Sequence, residues 1–325
     1  MSRRRAEGRV QNAKERRRSV GTYRSKITFK SIVRNWELYL LIAPVAVYYA
    51  VFEYMPMYGV QIAFKDFIAT GGIWGSPWVG FKHFERFFHS YYFDRLLSNT
   101  LWISVYYLIV SFPLAIGLAL LMHELRTAWY KKMVQIVTYA PHFISTVVIV
   151  GMLSLFLSPN SGVVNRLIVW FGAAPINFMA EASWFKTLYV MSGVWQNTGW
   201  NSIIFMAALA AVDPQQHESA MLDGAGKLKR MWHVNIPGIM PTIVILFILQ
   251  CGQLMSVGFE KAFLMQNSAN MASSDIISTY VYRSGVLGAE YSFSAAVGLF
   301  NAVINFALLL TVNRIAKRLT DTSLW

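Results

Sequence analysis

Among the stretches free of Asp, Glu, Lys and Arg, six stand out: 38–52, 96–122, 133–165, 187–212, 231–259 and 291–313. Crossing a bilayer takes about 20 mostly apolar residues. Inside lipid every backbone N–H and C=O must be satisfied within the chain, so only helices or closed barrels can cross. The runs lack the alternation of barrel strands. The first run is short but continues past Glu53 through Tyr54–Phe64, and the third and fifth are too long for one helix and must include loop. Spans are therefore expected near 36–57, 98–122, 134–157, 187–211, 239–260 and 291–313. The expected fold class is an all-α polytopic membrane protein with six transmembrane helices. Val163–Phe171 is apolar but too short to span, which suits a helix on the membrane surface or against the bundle.

The charge sets the orientation. The net charge is +13, and residues 1–34 alone hold 12 Lys+Arg against 2 Asp+Glu, a net +10. The oily remainder is almost neutral. With the N-terminus in the cytoplasm, 21 of the 29 Lys+Arg fall on inside segments, including Arg126, Lys131, Lys132, Lys227, Lys229, Arg230, Arg314, Lys317 and Arg318. This obeys the positive-inside rule and puts both termini in the cytoplasm. The expected organisation is a basic, partly disordered tail over 1–34, a membrane domain over 35–318 and a short cytoplasmic end over 319–325. The first span serves as a signal anchor, since a cleaved signal would begin nearer the N-terminus. The tail reads as a topology determinant drawn to anionic lipid, or, less simply, as a docking arm for a partner or nucleic acid.

Several chemistries lack their residues. One cysteine, Cys251, allows no internal disulfide. No zinc spacing, Walker-type glycine loop, G-x-S-x-G elbow or H-E-x-x-H helix occurs. No catalytic or metal-binding residue is assigned, and no nucleic-acid partner is expected.

The inside loop 213–237 is the most informative segment. Asp213 suits an N-cap and Pro214 the first helical position. Glu218 falls on the first turns, where the helix dipole favours a carboxylate. Gly224 can end the helix in a left-handed cap. A second short helix, about Lys227–Val234, is expected to stop before Pro237. A short helix with apolar anchors such as Ala220, Met221 and Trp232 fits a groove on another protein, or lies on the bilayer as an amphipathic connector.

Glu218-Ser-Ala, three residues, Gly224, nine residues and Val234-Asn-Ile-Pro237 together resemble the EAA loop of ABC-importer permeases, E-A-A-x3-G-x9-I-x-L-P. The departures are Ser219 for Ala, Val234 for Ile and Ile236 for Leu, with the spacing intact. Tyr139-Ala-Pro-His-Phe-Ile-Ser145, Ser158-Pro-Asn-Ser-Gly-Val-Val-Asn165, Trp195-Gln-Asn-Thr-Gly199 with Ala207-Ala-Leu209, and Tyr291-Ser-Phe-Ser-Ala-Ala296 are similar to the carbohydrate-uptake branch, the group of the larger maltose-importer permease. The resemblance covers about residues 36–318. It implies a MetI-like permease core in the bacterial inner membrane. It also implies a second permease subunit, a dimer of cytoplasmic ATPases holding ATP and Mg, and an extracytoplasmic solute-binding protein that delivers an oligosaccharide. Permeases for polysaccharide-derived oligosaccharides are the most similar, and an acidic fragment such as alginate is one implied cargo. Carried over, Glu218 is the motif's acid at the ATPase surface, Ser219 and Ala220 complete the triplet, Asp223 orders the turn, Gly224 makes it and Pro237 closes the motif. This chain would then couple rather than catalyse.

Polar side chains inside spans are costly and face a cavity or a partner helix. Trp195, Gln196, Asn197, Trp200 and Asn201 in span four, Gln250, Gln253, Ser256 and Glu260 in span five, and Asn301 and Asn305 in span six form such a set. Gln196 with Trp200, Asn197 with Asn201, and Asn301 with Asn305 share helix faces. Amides and aromatic faces suit sugars, and the family's sugar contacts fall in corresponding parts of these spans. Interhelical hydrogen bonding is the plainer role. His142 reads as a satisfied polar group rather than a proton relay. Pro44, Pro113 and Pro141 read as kinks. A secondary transporter would show buried mid-span charges and an internal repeat, and a membrane enzyme would show a converging catalytic cluster. Few such charges, no obvious repeat and no converging catalytic cluster are found. Peptide or phosphate cargo is left open.

Overall fold

The structure is a computed structural model describing residues 35–320 and 322–324. The basic tail over 1–34 lies outside the described residues. The chain divides into two compact units at Gly59/Val60. In the first unit α1 (Trp36–Tyr49) passes through Pro44 into a π turn, Ala50–Tyr54, and has no buried residue.

The second unit is built on three long helices. After α2 (Lys82–Phe88) come α3 (Phe93–His123), α4 (Ala128–Tyr139), α5 (Thr146–Phe156), α6 (Val163–Trp170) and α7 (Ala182–Ala210). Then follow α8 (Pro214–Leu222), α9 (Lys227–Arg230), α10 (Ile236–Cys251), α11 (Phe259–Met265), α12 (Ile277–Tyr282) and α13 (Tyr291–Thr320). No strand occurs among the described residues, only one bridge between Lys65 and Trp78. The core runs along α3 and α7. At one end Ala115, Ala119, Phe205, Leu209 and Ile239 pack together, and further along Ile103, Tyr189, Val190, Val194 and Ala262 do. Small residues on α3 allow this close approach.

Each expected span holds a helix, with two differences. The third is not one rod. Tyr139 leads into a 3-10 turn over Ala140–Phe143, and α5 departs at 100° to α4–turn. Pro141 cannot donate to the helix ladder, and Ser145 caps the new helix by accepting from Val148 N. The backbone exposed at this break is satisfied from α7, where Gln196 Nε2 donates to Ile144 O at 3.0 Å. Broken helices at membrane depth persist only when neighbours supply such partners. The fifth span also lies earlier than 239–260: a helical run from Lys227 ends at Cys251. Turns over 252–258 then lead into α11. The helix does not stop before Pro237, because a π turn over Met231–Asn235 widens the coil just ahead of the proline, which sits at the start of α10. Among the described residues four helical runs, 36–64, 93–123, 227–251 and 291–320, are long and apolar enough to cross a membrane, or five spans with the bent pair. α7 has the length, 29 residues, but its polar residues dilute its hydropathy.

The motif stretches outside the loop fasten the fold. Asn165 is buried and donates to Leu157 O, Ser158 O and Ile176 O while accepting from Ile176 N, which ties α6 to its flanking loops. Ser292 Oγ accepts from Phe67 N, and Phe293 is core. Asp275, fully buried, takes Arg95 at 3.0 Å and Arg283 at 2.8 Å, and so clamps α3 to the segment before α12.

Candidate functional site

A cavity of about 290 Å3 lies between α3, α7, the end of α10 and α11. Gln196 and Asn197 reach it from α7, Gln250 from α10, and Gln253 and Ser256 from the turn that follows. A second hollow of about 130 Å3 shares Gln250 and Gln253 and adds Asn201 and Ser111. Helix periodicity explains the α7 wall, since positions 193, 197 and 201 are successive turns of one face. Asn197 is held firmly: its Nδ2 donates to Gly193 O at 3.1 Å and its Oδ1 meets His142 Nδ1 at 3.0 Å. His142 in turn stacks on Trp200 at 4.4 Å between ring centroids. His142 is thus a satisfied polar group that buttresses a cavity amide.

The remaining expected pathway residues lie off the cavity. Trp195 is about half exposed, and Trp200 is occupied with His142 and Phe143. Asn305 accepts from Met255 N at 2.8 Å and donates to Ser256 Oγ at 2.9 Å, which holds the turn that presents Gln253. Asn301 Oδ1 is buried and unpartnered, and Glu260 is exposed on the first turn of α11. Four polar lining residues escaped the sequence reading: Ser104, Tyr107, Tyr189 and Lys261. Lys261 follows Glu260, at which the charge-free run ends, so a search for uncharged stretches stops just short of it.

The 213–237 loop is a capped helical hairpin. Asp213 Oδ1 accepts from Gln215 N at 2.9 Å, with Pro214 at the first turn. At the other end Ala225 N donates to Ala220 O at 2.8 Å and Gly224 N to Met221 O at 3.0 Å. These are the paired bonds of a Schellman cap, with Gly224 at φ +74° as that cap requires. Asp223 is the C-cap residue. Glu218 and Ser219 are exposed, and Ser219 Oγ donates back to Gln215 O. Ala220 is half-buried, while Leu222, Leu228 and Trp232 stand in solvent, Leu222 at 89% exposure. Apolar side chains that exposed on a charged hairpin leave a surface open to a partner or to the bilayer. Pro237 lies at the start of α10, beyond the π turn. Among the described residues no group of three or more His, Cys, Asp or Glu converges to hold a metal ion.

Residues 111–321, which contain most of both features, match the family described as "Binding-protein-dependent transport system inner membrane component". The chain belongs to this family of importer permeases. Two Bacillus subtilis (strain 168) relatives are similar over nearly their full length. Protein LplB is 43% identical, covering 91% of this chain and 93% of the relative. The polygalacturonan/rhamnogalacturonan transport system permease protein YteP is 42% identical, covering 93% and 94%. Among solved structures, a chain of a bacterial alginate ABC transporter in complex with an alginate pentasaccharide-bound periplasmic protein superposes with a TM-score of 0.84. It is 38% identical, with 91% of this chain and 99% of that chain covered. The chain is therefore a multi-pass membrane permease of a carbohydrate ABC importer, a component that is not itself a catalyst.

Proposed function

We propose that this permease forms half of the pathway for an acidic oligosaccharide, drawn through the cavity beside α7, and that the 213–237 loop couples it to a cytoplasmic ATPase. The observation that carries the reading is the cavity wall itself. Gln196, Asn197, Gln250 and Gln253 offer paired donors and acceptors, as sugar hydroxyls require, and Tyr107 and Tyr189 add aromatic surface. Acidic cargo is favoured by the names of the relatives, a polygalacturonan/rhamnogalacturonan permease and an alginate transporter. Coupling is favoured by the rigid, capped hairpin with its exposed Leu222, Leu228 and Trp232. In this reading a second permease completes the pathway, a binding protein delivers the sugar outside, and a pair of ATPases holds ATP and Mg inside. Both termini and the hairpin face the cytoplasm, as the Lys+Arg distribution requires.

The test is co-purification with the products of neighbouring genes, followed by a ligand screen of the binding protein. A second permease and an ATPase are expected to stay with this chain, and the binding protein is expected to retain uronate oligomers. A complex lacking an ATPase, or a binding protein selective for peptide or phosphate, contradicts the reading.

A further inference from the structure

Lys261 is the only charged residue among those lining the cavity, and only 8% of its surface is exposed. Its Nζ donates to Tyr189 O at 2.8 Å and lies 4.8 Å from the centre of the Tyr189 ring. It also lies 3.3 Å from where a Cβ on Gly193 would be, so the glycine leaves it room. Among the described residues no carboxylate is within ion-pair distance of it. The acids that do form ion pairs, Asp66, Asp275 and Glu290, hold other cations. Neighbouring Glu260 is exposed and makes no bond to it.

An ammonium group carries three N–H donors, and one carbonyl and a ring face leave it without a counter-charge. A buried charge is expensive unless it is paired. Ionisable groups at membrane depth are kept where they serve a pathway. We propose that Lys261 determines charge specificity in this permease, its counter-charge being the carboxylate of a uronate unit whose hydroxyls the neighbouring amides bind. This rests on the acidic-oligosaccharide reading above. A lysine that merely tethers α11 to α7 through Tyr189 O would be indifferent to the charge of the cargo.

The test uses the full complex in proteoliposomes with its binding protein, comparing initial uptake of trigalacturonate and of fully methyl-esterified trigalacturonate. Wild type taking up the ester faster than the acid sinks the parent reading, whatever Lys261 does. Given a wild-type preference for the acid, Lys261→Gln is expected to lower that preference about tenfold, the scale of one hydrogen bond to a charged group, and Lys261→Arg to retain it. An unchanged preference in Lys261→Gln overturns the assignment. Should that variant fail to assemble, Asn197→Asp places a near-isosteric carboxylate one turn from Gly193 on the same wall. It is expected to weaken the preference for the acid, and an unchanged preference overturns the assignment equally.

Discussion

Gly199 and Asn197 define two kinds of residue in one short motif. A Cβ at position 199 would lie 2.0 Å from Thr138 O, a backbone atom that cannot swing aside. Gly199→Ala, which in an open helix would stabilise, is expected here to lower stability by about 1–3 kcal/mol or more through overpacking. A clear fall in the thermal midpoint of the purified complex checks this, and a rise contradicts it. Asn197 is different, because it faces the cavity. Asn197→Leu strands His142 Nδ1 and removes an amide from the cavity wall, one proposed here to bind sugar. Uptake is expected to fall about tenfold while the ATPase partner still co-purifies. Uptake at the wild-type rate would remove Asn197 from the pathway. The amides of α7 were legible because polar residues inside an apolar run are conspicuous. The division between cavity-facing Asn197 and His142-bound Trp200 was not, since both lie within a turn of each other and only packing separates them. Lys261 was illegible for another reason: it begins beyond the charge-free run, and the turn after Cys251 folds it back against α7.

At the scale of elements, the 213–237 hairpin is set almost wholly by local chemistry. Its N-cap, first-turn proline and glycine cap each follow from neighbours within a few residues. Hence the hairpin could be read in advance, apart from its far end. There a proline rule predicts a stop, while a π turn carries the helix through. Gly224→Pro is expected to abolish the cap, since proline can neither adopt φ +74° nor donate the bond to Met221 O. Glu218→Lys reverses charge on the exposed face. Either change is expected to leave membrane insertion intact and to remove sugar-stimulated ATPase activity from the reconstituted complex. Normal stimulation in both variants would dismiss the coupling role. The bend between α4 and α5 was hidden from hydropathy because apolar content persists straight through the break. Its clues, Pro141 and the donor Gln196, lie in segments 52 residues apart from Ile144 to Gln196.

For the whole molecule, the long helices leave many apolar side chains exposed. α3 and α7 share one narrow core, while residues such as Leu121, Trp102, Phe306 and Val303 are exposed. A surface of that kind needs lipid or a partner permease, and in the proposed function the cavity beside α7 needs a source of work to alternate its access. The central claim is that this work comes from ATP through the hairpin, for a uronate cargo. The most direct measurement is uptake of trigalacturonate into proteoliposomes holding the purified complex. The account predicts uptake that requires both ATP and the binding protein and that Gly224→Pro eliminates. Uptake sustained by an ion gradient without ATP would contradict it.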